Sequence, residues 1–400
     1  MAYPSQKDQI PVLFEDTSVA FSSKSDSQLR KTYWLFNLMN QARVVNLGTF
    51  FIKLALKLHL PIKNLIRRTI FEQFCGGETI SECKQTVSTL ARSGIRTILD
   101  YSVEGEDSEK SFDKTASEIL KTIDAAAISD SIPFSVFKVT GIASTELLEK
   151  IQKEEELSDS EREAYQRVKQ RMAMLCGQGF KNNVPVFVDA EESWIQGIID
   201  SLTYEMMEQF NREKAIVYNT YQLYRNDTLQ ALKSAYLKAR QKGYRIGAKL
   251  VRGAYMEKER VRARESEYFN PIHVSKEATD QDYNAAIDFC LEHIQDISIC
   301  LGTHNEYSSQ YCALKMKKVG LEKNDDRVWF AQLLGMSDNI SYNLAALGYN
   351  VAKYVPYGPI GAVLPYLIRR AEENSSIAGQ SSREFLLVKS EMNRRGIGSL

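Results

Sequence analysis

The sequence predicts an α/β protein folded as a (βα)8 barrel, and two features of the chain indicate this fold. Short runs rich in β-branched and aromatic residues alternate with stretches of helical periodicity. There are eight such runs in 400 residues, a number and a length that suit a barrel of eight βα units. The runs are residues 95–99, 134–139, 184–188, 215–218, 246–251, 297–301, 328–331 and 351–355.

An open, doubly wound sheet is the alternative arrangement for alternating strands and helices. Its dinucleotide-binding form carries a G-x-G-x-x-G turn directly after the first strand. No such turn follows residues 95–99. This absence weighs against the alternative and favours the barrel.

Two further elements are predicted beside the eight βα units. Residues 1–93 are expected to form an N-terminal arm and a helical prefix, because residues 1–27 are polar and apolar residues then recur at helical spacing. The barrel is expected to span residues 94–400. A charged stretch between the second and third runs predicts a helical insertion, which opens with a capping box formed by Ser158 and Glu161.

The composition excludes several classes of function. The 51 basic and 51 acidic residues leave no positive excess for binding nucleic acid. The six cysteines form no C-x-x-C pair and are expected to be buried thiols in a reducing compartment, and four histidines are few for a metal-dependent barrel hydrolase. The apolar stretch 50–62 is too short and too charged to span a bilayer. We therefore expect a cytoplasmic protein without a metal, with peripheral contact at the inner membrane left open.

Polar residues follow or end nearly every predicted strand. In (βα)8 barrels the active groups lie at the carboxyl ends of the strands, whereas the middles of the strands fill the core. One polar residue at such a place is commonly a helix cap or an ion-pair partner, but a nearly complete set predicts a functional site. The set comprises Asp100, Lys138, Asp189, Asn219, Gln222, Lys249, Arg252, His304, Asn305, Gln332 and Tyr354.

The last βα unit adds two adjacent arginines. Tyr366 and Arg370 are four residues apart and can share one face of a helix, with Arg369 beside them. A guanidinium group presents a planar pair of donors that matches a carboxylate. Because the arginines follow directly on an apolar stretch, at least one is expected to face inward and to bind an anionic substrate group.

These residues alone leave the reaction open. Lys138 and Lys249 at strand ends would also suit an aldolase or lyase that forms a Schiff base, a chemistry that requires a lysine of lowered pKa. A barrel that only binds a ligand is a third interpretation, but it does not explain the ring of polar strand ends.

Six segments of the barrel are similar to those of one enzyme family. They are DAEESW (189–194), KLVRGAYMEKER (249–260), GTHNE (302–306), QLLGM (332–336), KYVPYGP (353–359) and YLIRRAEENSS (366–376). Together and in this order they resemble the proline dehydrogenases, and in particular the monofunctional, FAD-dependent branch. The resemblance runs from about residue 95 to the C-terminus and does not cover the N-terminal prefix.

The resemblance implies oxidation of L-proline to Δ1-pyrroline-5-carboxylate by hydride transfer to FAD. It further implies that electrons pass to a membrane quinone, and that a separate dehydrogenase takes the product onward, because the chain is too short to include that module. It implies catalytic roles for Lys138, Asp189 and Lys249. The substrate-binding residues that it implies are Lys138, Tyr255, Leu333, Tyr354, Tyr366, Arg369 and Arg370.

The resemblance also implies a set of flavin-contacting residues. They are Asn219, Val251, Arg252, Gly253, Lys276, Thr303, His304 and Asn305. The chain departs from the bifunctional bacterial relatives at three positions: Lys249 stands where they have Arg, Arg252 where they have Lys, and Asn219 where they have Gln. Lys and Arg differ in hydrogen-bond geometry, so the flavin contacts at these positions are expected to differ.

Two further residues bear on the substrate. Members of the family that prefer hydroxyproline have a smaller residue in place of Tyr354, whose phenol occupies the space that a 4-hydroxyl group needs. The resemblance therefore implies proline as the substrate, with hydroxyproline as the alternative. The resemblance also implies that Glu104, in the loop after the first strand, corresponds to an acidic lid residue that pairs with an active-site arginine, although this loop aligns poorly.

Overall fold

A computed structural model describes residues 14–41, 45, 47–52, 58, 62–103, 107–376 and 380–398, and it describes the backbone alone for residues 373–376 and 380–382. Within this part of the chain, eight parallel strands follow one another in sequence order around a closed barrel. The predicted (βα)8 fold is therefore confirmed. The strands are β1 (Ile95–Tyr101), β2 (Phe134–Lys138), β3 (Val186–Asp189), β4 (Val217–Gln222), β5 (Ile246–Val251), β6 (Ile297–Gly302), β7 (Val328–Leu333) and β8 (Val351–Tyr357).

Helices follow the strands and also precede the barrel. They are α1 (Thr17–Ala20), α2 (Asp26–Met39), α3 (Lys63–Ile66), α4 (Glu72–Phe74), α5 (Ile80–Ala91), α6 (Glu109–Ala127), α7 (Thr145–Gln152), α8 (Asp159–Asn182), α9 (Ser193–Phe210), α10 (Thr228–Lys242), α11 (Met256–Glu265), α12 (Lys276–Glu292), α13 (Glu306–Lys318), α14 (Asp338–Ala346), α15 (Ile360–Ser376) and α16 (Gln380–Arg394). A π-helical turn (Arg67–Phe71) joins α3 to α4, and a 3-10 turn (Val139–Gly141) follows β2. Among the described residues, no helix is both long enough and apolar enough to cross a bilayer.

The described residues fall into two compact units. One lies within Gly105–Ala331, and the other combines parts of Val12–Glu104 and Gln332–Leu400. The first contains β2 to β6 and most of β7, whereas the second contains β1 and β8, which pair in parallel from Ile95↔Val351 onward. The predicted boundary between a prefix and the barrel at residue 93 stays a prediction.

An aromatic cluster fills the interior of the first unit near the beginnings of its strands. The rings of Phe134 and Phe187 stack at 4.4 Å between centroids, and Tyr218 and Trp329 meet Phe134 edge to face. Because side chains alternate between the two faces of a strand, this cluster identifies the interior face of each strand that contributes to it. On β4 that face carries Tyr218, Thr220 and Gln222.

The helical insertion between β2 and β3 consists of α7 and α8. The capping box predicted at its longer helix is present, because the Glu161 backbone N–H donates to Ser158 Oγ and the Ser158 N–H donates to Glu161 Oε2. Buried Arg171 joins α8 to α6 through ion pairs with Glu109 and Asp113. The insertion is therefore attached to the helix layer as a packed element.

The N-terminal region is more ordered than the sequence predicts. Residues 1–27 are expected to be a loose arm, but the described part contains α1, whose first turn is capped by Asp16 Oδ1. Phe14 and Phe21 on either side of α1 are almost fully buried. The polar composition of residues 1–27 does not reveal that these two phenylalanines are buried. Residues 1–13 lie outside the described residues.

Candidate active site

A carboxylate and two lysines meet at the carboxyl ends of β2, β3 and β5. Lys138 and Asp189 are the last residues of their strands and are register partners, and Lys249 extends from β5, two strands away from β3. Lys249 Nζ lies 2.5 Å from Asp189 Oδ1, and Lys138 Nζ lies 3.6 Å from Asp189 Oδ2. The structure thus brings together the three residues for which the sequence predicts catalytic roles.

The charges in this cluster do not balance. Burial acts to raise the pKa of Asp189, but the two ammonium groups outweigh burial and hold that pKa below its usual value. Within this set of three residues, two ammonium groups face one carboxylate. The Lys138 side chain is 24% exposed and that of Lys249 is 7% exposed. The cluster can therefore attract an anionic ligand or stabilise negative charge that develops during a reaction.

Glu191, two residues after Asp189, is a second buried acid of this region. Its carboxylate accepts from the Thr140 backbone N–H at 3.0 Å and from the Thr140 hydroxyl. Burial raises its pKa to about 7, against the opposing effect of the Thr140 hydrogen bonds. Sequence reasoning did not select Glu191, although its place directly after β3 is a signal that could have identified it.

Arg252 lies at the centre of a second polar cluster. Its Nε donates to Asp280 at 2.8 Å, and its Nη1 donates to Thr303 at 2.6 Å. The guanidinium carbon lies 4.3 Å from the centroid of the Tyr283 ring. Lys276 pairs with the same aspartate at 2.6 Å. Asp280, which sequence reasoning missed, therefore joins two predicted flavin-contacting residues, and Arg252 connects them to a third, Thr303.

The neighbouring predicted positions surround this cluster. Asn305 caps the N-terminus of α13, where its side-chain oxygen accepts from the Ser308 N–H, and its own backbone N–H donates to Thr303 Oγ1. His304 lies between Thr303 and Asn305 in the sequence. Val251 ends β5. Gly253 has a φ of +131°, and a Cβ there would lie 2.4 Å from the Tyr224 ring, so a side chain is excluded.

Asn219 and Gln222 on β4 face opposite sides of the barrel wall. Asn219 donates to Asp200 at 2.8 Å and to the hydroxyl of Tyr204, both on α9, so its amide points into the helix layer. Gln222 belongs to the interior face, and its side chain is buried, with no partner for Oε1 in the part of the chain that the structure describes. The predicted flavin contact of Asn219 stays a prediction, but this geometry favours Gln222 for contact with a ligand inside the barrel.

Tyr354 lies in the middle of β8, in the second unit. The preceding residue, Lys353, is directed to the helix layer, where its ammonium group pairs with Asp338 on α14 at 2.9 Å. Alternation along the strand places Tyr354 on the opposite, interior face. Leu333 ends β7, and its carbonyl accepts from Lys353 at 3.3 Å.

The predicted anion-binding helix is α15. Tyr366 and Arg370 are both buried, and the Arg370 guanidinium carbon lies 5.3 Å from the centroid of the Tyr366 ring. The prediction that these two residues share one face is confirmed, and Arg370 is the inward-facing arginine. Arg369 is partly exposed.

Tyr255 and Glu104 are the remaining residues for which the sequence predicts a role at the site. Tyr255 directly precedes α11, in the first unit. Glu104, the candidate lid acid, lies outside the described residues.

Comparison with known proteins identifies the family to which the sequence of this chain is similar. The profile of the family "Proline dehydrogenase" matches residues 83–383. The carbapenem antibiotics biosynthesis protein CarD of Pectobacterium carotovorum is 37% identical over 327 residues, which are 82% of this chain and 85% of that protein. Mitochondrial proline dehydrogenase 1 of Dictyostelium discoideum is 34% identical over 430 residues, which are 95% of this chain and 74% of that protein.

Solved structures with a similar fold include proline utilization A proteins. The protein from Bdellovibrio bacteriovorus, inactivated by N-propargylglycine, superimposes with a TM-score of 0.72 at 20% identity and covers 96% of this chain. This chain spans 40% of the length of that protein. The likeness supports the barrel fold, and the match to the family profile over residues 83–383 decides the family. The chain belongs to the proline dehydrogenase family.

Proposed function

We propose that this protein oxidises L-proline to Δ1-pyrroline-5-carboxylate, with FAD as the resident cofactor and a quinone as the final electron acceptor. Membership in the family carries this proposal, and the Lys138–Asp189–Lys249 cluster supports it. A separate dehydrogenase would consume the product.

The residues at the strand ends of the first unit fit a flavin. Gln222 Oε1 is buried on the interior face without a partner among the described residues, and a flavin ring offers N–H groups to such an acceptor. Arg252 and Lys249 supply positive charge. When bound, the flavin would accept a hydride from a ring carbon of the substrate. Gln222, Arg252 and Thr303, with the other predicted contacts, would hold it.

The contribution of the protein to the reaction is binding, orientation and electrostatics. Arg369 and Arg370 would bind the proline carboxylate. Because the small ring has few other polar groups, fixing the carboxylate would orient the ring. Tyr354, Tyr366, Leu333 and Tyr255 would line the apolar part of the substrate. The positive charge of Lys249 and Lys138 would stabilise the negative charge that a flavin gains on reduction.

A Schiff-base mechanism is the main chemical alternative. It requires a neutral lysine amine, whereas the Lys249 ammonium group is held 2.5 Å from the ionised Asp189 carboxylate. This ion pair opposes the alternative.

An anaerobic absorbance spectrum of the purified protein, recorded before and after addition of L-proline, tests the proposal. We expect a flavin band that bleaches with proline. A colourless protein that stays inert when FAD is supplied would contradict the flavoenzyme assignment, and trapping of a substrate adduct by borohydride would then favour the lysine chemistry.

A further inference from the structure

The helix that follows β5 in the first unit is attached mainly through polar side chains. α11 has seven charged residues among its ten, and the residues that it buries are Glu259 and Ala263. A single alanine offers little apolar surface, so this helix lacks the apolar stripe that usually holds a helix against a core. The position of α11 therefore depends on the partners of its charged side chains.

Glu259 is the charged residue of α11 that is fully buried, with 0% of its surface exposed. Its Oε1 accepts from the Ser193 backbone N–H at 2.6 Å, and its Oε2 accepts from the Ser193 hydroxyl at 2.6 Å. The backbone N–H of Glu259 donates to the carbonyl of Tyr255 at 2.9 Å. One residue therefore connects Tyr255, which directly precedes α11, with the first residue of α9.

The start of α9 has no local side-chain cap. Its N-cap residue, Glu192, makes no side-chain hydrogen bond to the helix, although the first turn of a helix leaves backbone N–H groups without partners. Glu259 supplies an acceptor from sixty-six residues further along the chain, and its negative charge lies near the positive end of the helix dipole. Asp189, of the Lys138–Asp189–Lys249 cluster, is only four residues before Ser193 in the sequence. The contact therefore joins α11 to the segment that leaves the end of β3.

Two weaker contacts accompany this buried one. Lys258 forms an ion pair with Glu192, and the Arg262 guanidinium carbon lies 4.1 Å from the centroid of a Trp194 ring. The side chains of the two cations are 61% and 31% exposed, and solvent weakens such interactions. We therefore expect the carboxylate of Glu259 to contribute most to the attachment of α11.

We propose that Glu259 is a positioning residue, which fixes α11 and with it Tyr255 against the segment that follows Asp189. Its effect on the reaction rests on the proposed function, in which Tyr255 lines the substrate. Glu259 acts through Tyr255 and not on the reacting atoms. Misplacement of a group at the site by about 1 Å can lower a rate about 100-fold, so the attachment of a short polar helix matters for activity.

Hydrogen exchange of the full chain measures the attachment without turnover. Glu259→Ala removes both acceptors, so the amides of α11 and of the first turn of α9 should exchange at least about tenfold faster, because one hydrogen bond to a charged group is worth about a factor of ten or more. Glu259→Gln keeps a carbonyl that accepts from Ser193 and should restore most of the protection. Ser193→Ala removes the hydroxyl donor alone and should give a smaller change in the same direction, which tests the contact even if Glu259→Ala does not fold.

Steady-state kinetics with a water-soluble dye as acceptor test the connection to the substrate. Glu259→Ala should lower kcat/KM for proline by about tenfold, mainly through a higher KM, and Glu259→Gln should recover most of this loss. Asn211→Ala is a matched control in the same unit. Asn211 is 0% exposed, and its side-chain oxygen accepts from the N–H groups of Ile216 and Val217 at the amino end of β4. This variant should lower the urea midpoint of unfolding to a similar extent and leave KM unchanged.

The possible failures are distinguishable. Unchanged exchange of α11 in both Glu259→Ala and Ser193→Ala would overturn the attachment. Faster exchange with an unchanged KM, or an equal rise of KM in Asn211→Ala, would overturn the positioning role. Absence of proline oxidation in the wild-type protein would contradict the proposed function, whereas hydrogen exchange would still show whether Glu259 holds α11.

Discussion

Each of the two units contains an aspartate, 15% exposed at Asp189 and 11% at Asp338, that pairs with two lysines. The two clusters differ in how their lysines are used. In the first unit Asp189 pairs with Lys138 and Lys249, and in the second Asp338 pairs with Lys353 at 2.9 Å and Lys24 at 3.4 Å. In both, burial acts to raise the pKa of the aspartate, and the lysines outweigh it and lower that pKa.

The difference lies in access and in hydrogen bonding. Lys353 is 0% exposed, and its ammonium group donates to the carbonyls of Leu333 and Met336 as well as to Asp338. A lysine has three donors, so this set uses them all. Lys138, by contrast, ends its strand with 24% of its side chain exposed. The same residue types thus form a structural connection between β8 and α14 in one unit and an accessible charged cluster in the other.

The comparison predicts a large and unequal loss of stability. Asp338→Asn leaves a fully buried ammonium group without its carboxylate, and breaking such a pair should lower the free energy of unfolding by about 3–5 kcal/mol. Asp189→Asn should cost less, because solvent can reach Lys138, but it should lower catalytic efficiency by at least about tenfold. Urea denaturation and steady-state kinetics of both variants measure this. Equal losses of stability in the two variants would show that solvent exposure does not distinguish the two clusters. As a control, Asp159→Asn on the surface should change the free energy of unfolding by less than about 0.5 kcal/mol.

The two arginines of α15 that are predicted to bind the substrate lie in the second unit. Arg370 is buried and Arg369 is partly exposed, and each is predicted to bind the substrate carboxylate. Removal of one cation from a desolvated ion pair costs about 2–5 kcal/mol, so Arg370→Ala should lower kcat/KM by about 10²–10³-fold, with a smaller loss for Arg369→Ala. Both proteins should remain yellow. Unchanged kinetics in either variant would remove that arginine from the site.

The two units also each contain a buried glutamate, and these are expected to make the protein less stable as pH rises. Glu191 and Glu384 both have a pKa of about 7, raised by burial. An unfolded chain titrates glutamate near 4.5, so the folded state binds the extra proton between these values. Stability from each group is complete below pH 4.5 and is lost as pH rises through 7.

Replacement by glutamine removes this dependence. The free energy of unfolding of wild type should fall from about pH 5 to about pH 8, whereas that of Glu191→Gln or Glu384→Gln should lack this contribution. The difference between each variant and wild type should therefore shift in favour of the variant by on the order of 3 kcal/mol over this range. Urea unfolding at the two pH values provides the measurement. If the difference from wild type is the same at both, the group is not titrating in the folded state. A changed pH profile of kcat for Glu191→Gln alone would add Glu191 to the active cluster.

The sequence predicted the strands well and the direction of side chains less well. Residues 246–251 were predicted as β5 and form it, because a short run that is apolar except for Gly247 and Lys249 is typical of a buried parallel strand. The run predicted for β4 stopped at Tyr218, because Asn219, Thr220 and Gln222 are polar, whereas the strand continues to Gln222. A search for hydrophobic runs therefore misses the carboxyl end of a barrel strand when the residues there are polar.

The same strand explains why the candidate site could be predicted only in part. The end of β4 identified both Asn219 and Gln222, but their orientation depends on where the alternation begins, which is set by the packing of Tyr218 in the aromatic cluster. Asp280 was missed for a related reason. It lies on α12, twenty-eight residues after Arg252, and only the folded chain brings them together.

Tyr354 and Lys353 provide the finest test, because adjacent residues of one strand face different surroundings. Tyr354→Ser should raise the ratio of kcat/KM for hydroxyproline to that for proline by about tenfold, since removing the phenol makes room for the 4-hydroxyl group, and such pocket changes are worth about 1–3 kcal/mol. Lys353→Met should instead lower stability and leave the substrate ratio unchanged, because its ammonium group contacts α14 and backbone carbonyls. The prediction would be contradicted if Lys353→Met changes the ratio of kcat/KM for the two substrates or if Tyr354→Ser leaves it unchanged. Either result would mean that the outward face of β8 does not serve stability alone or that the inward face does not determine specificity.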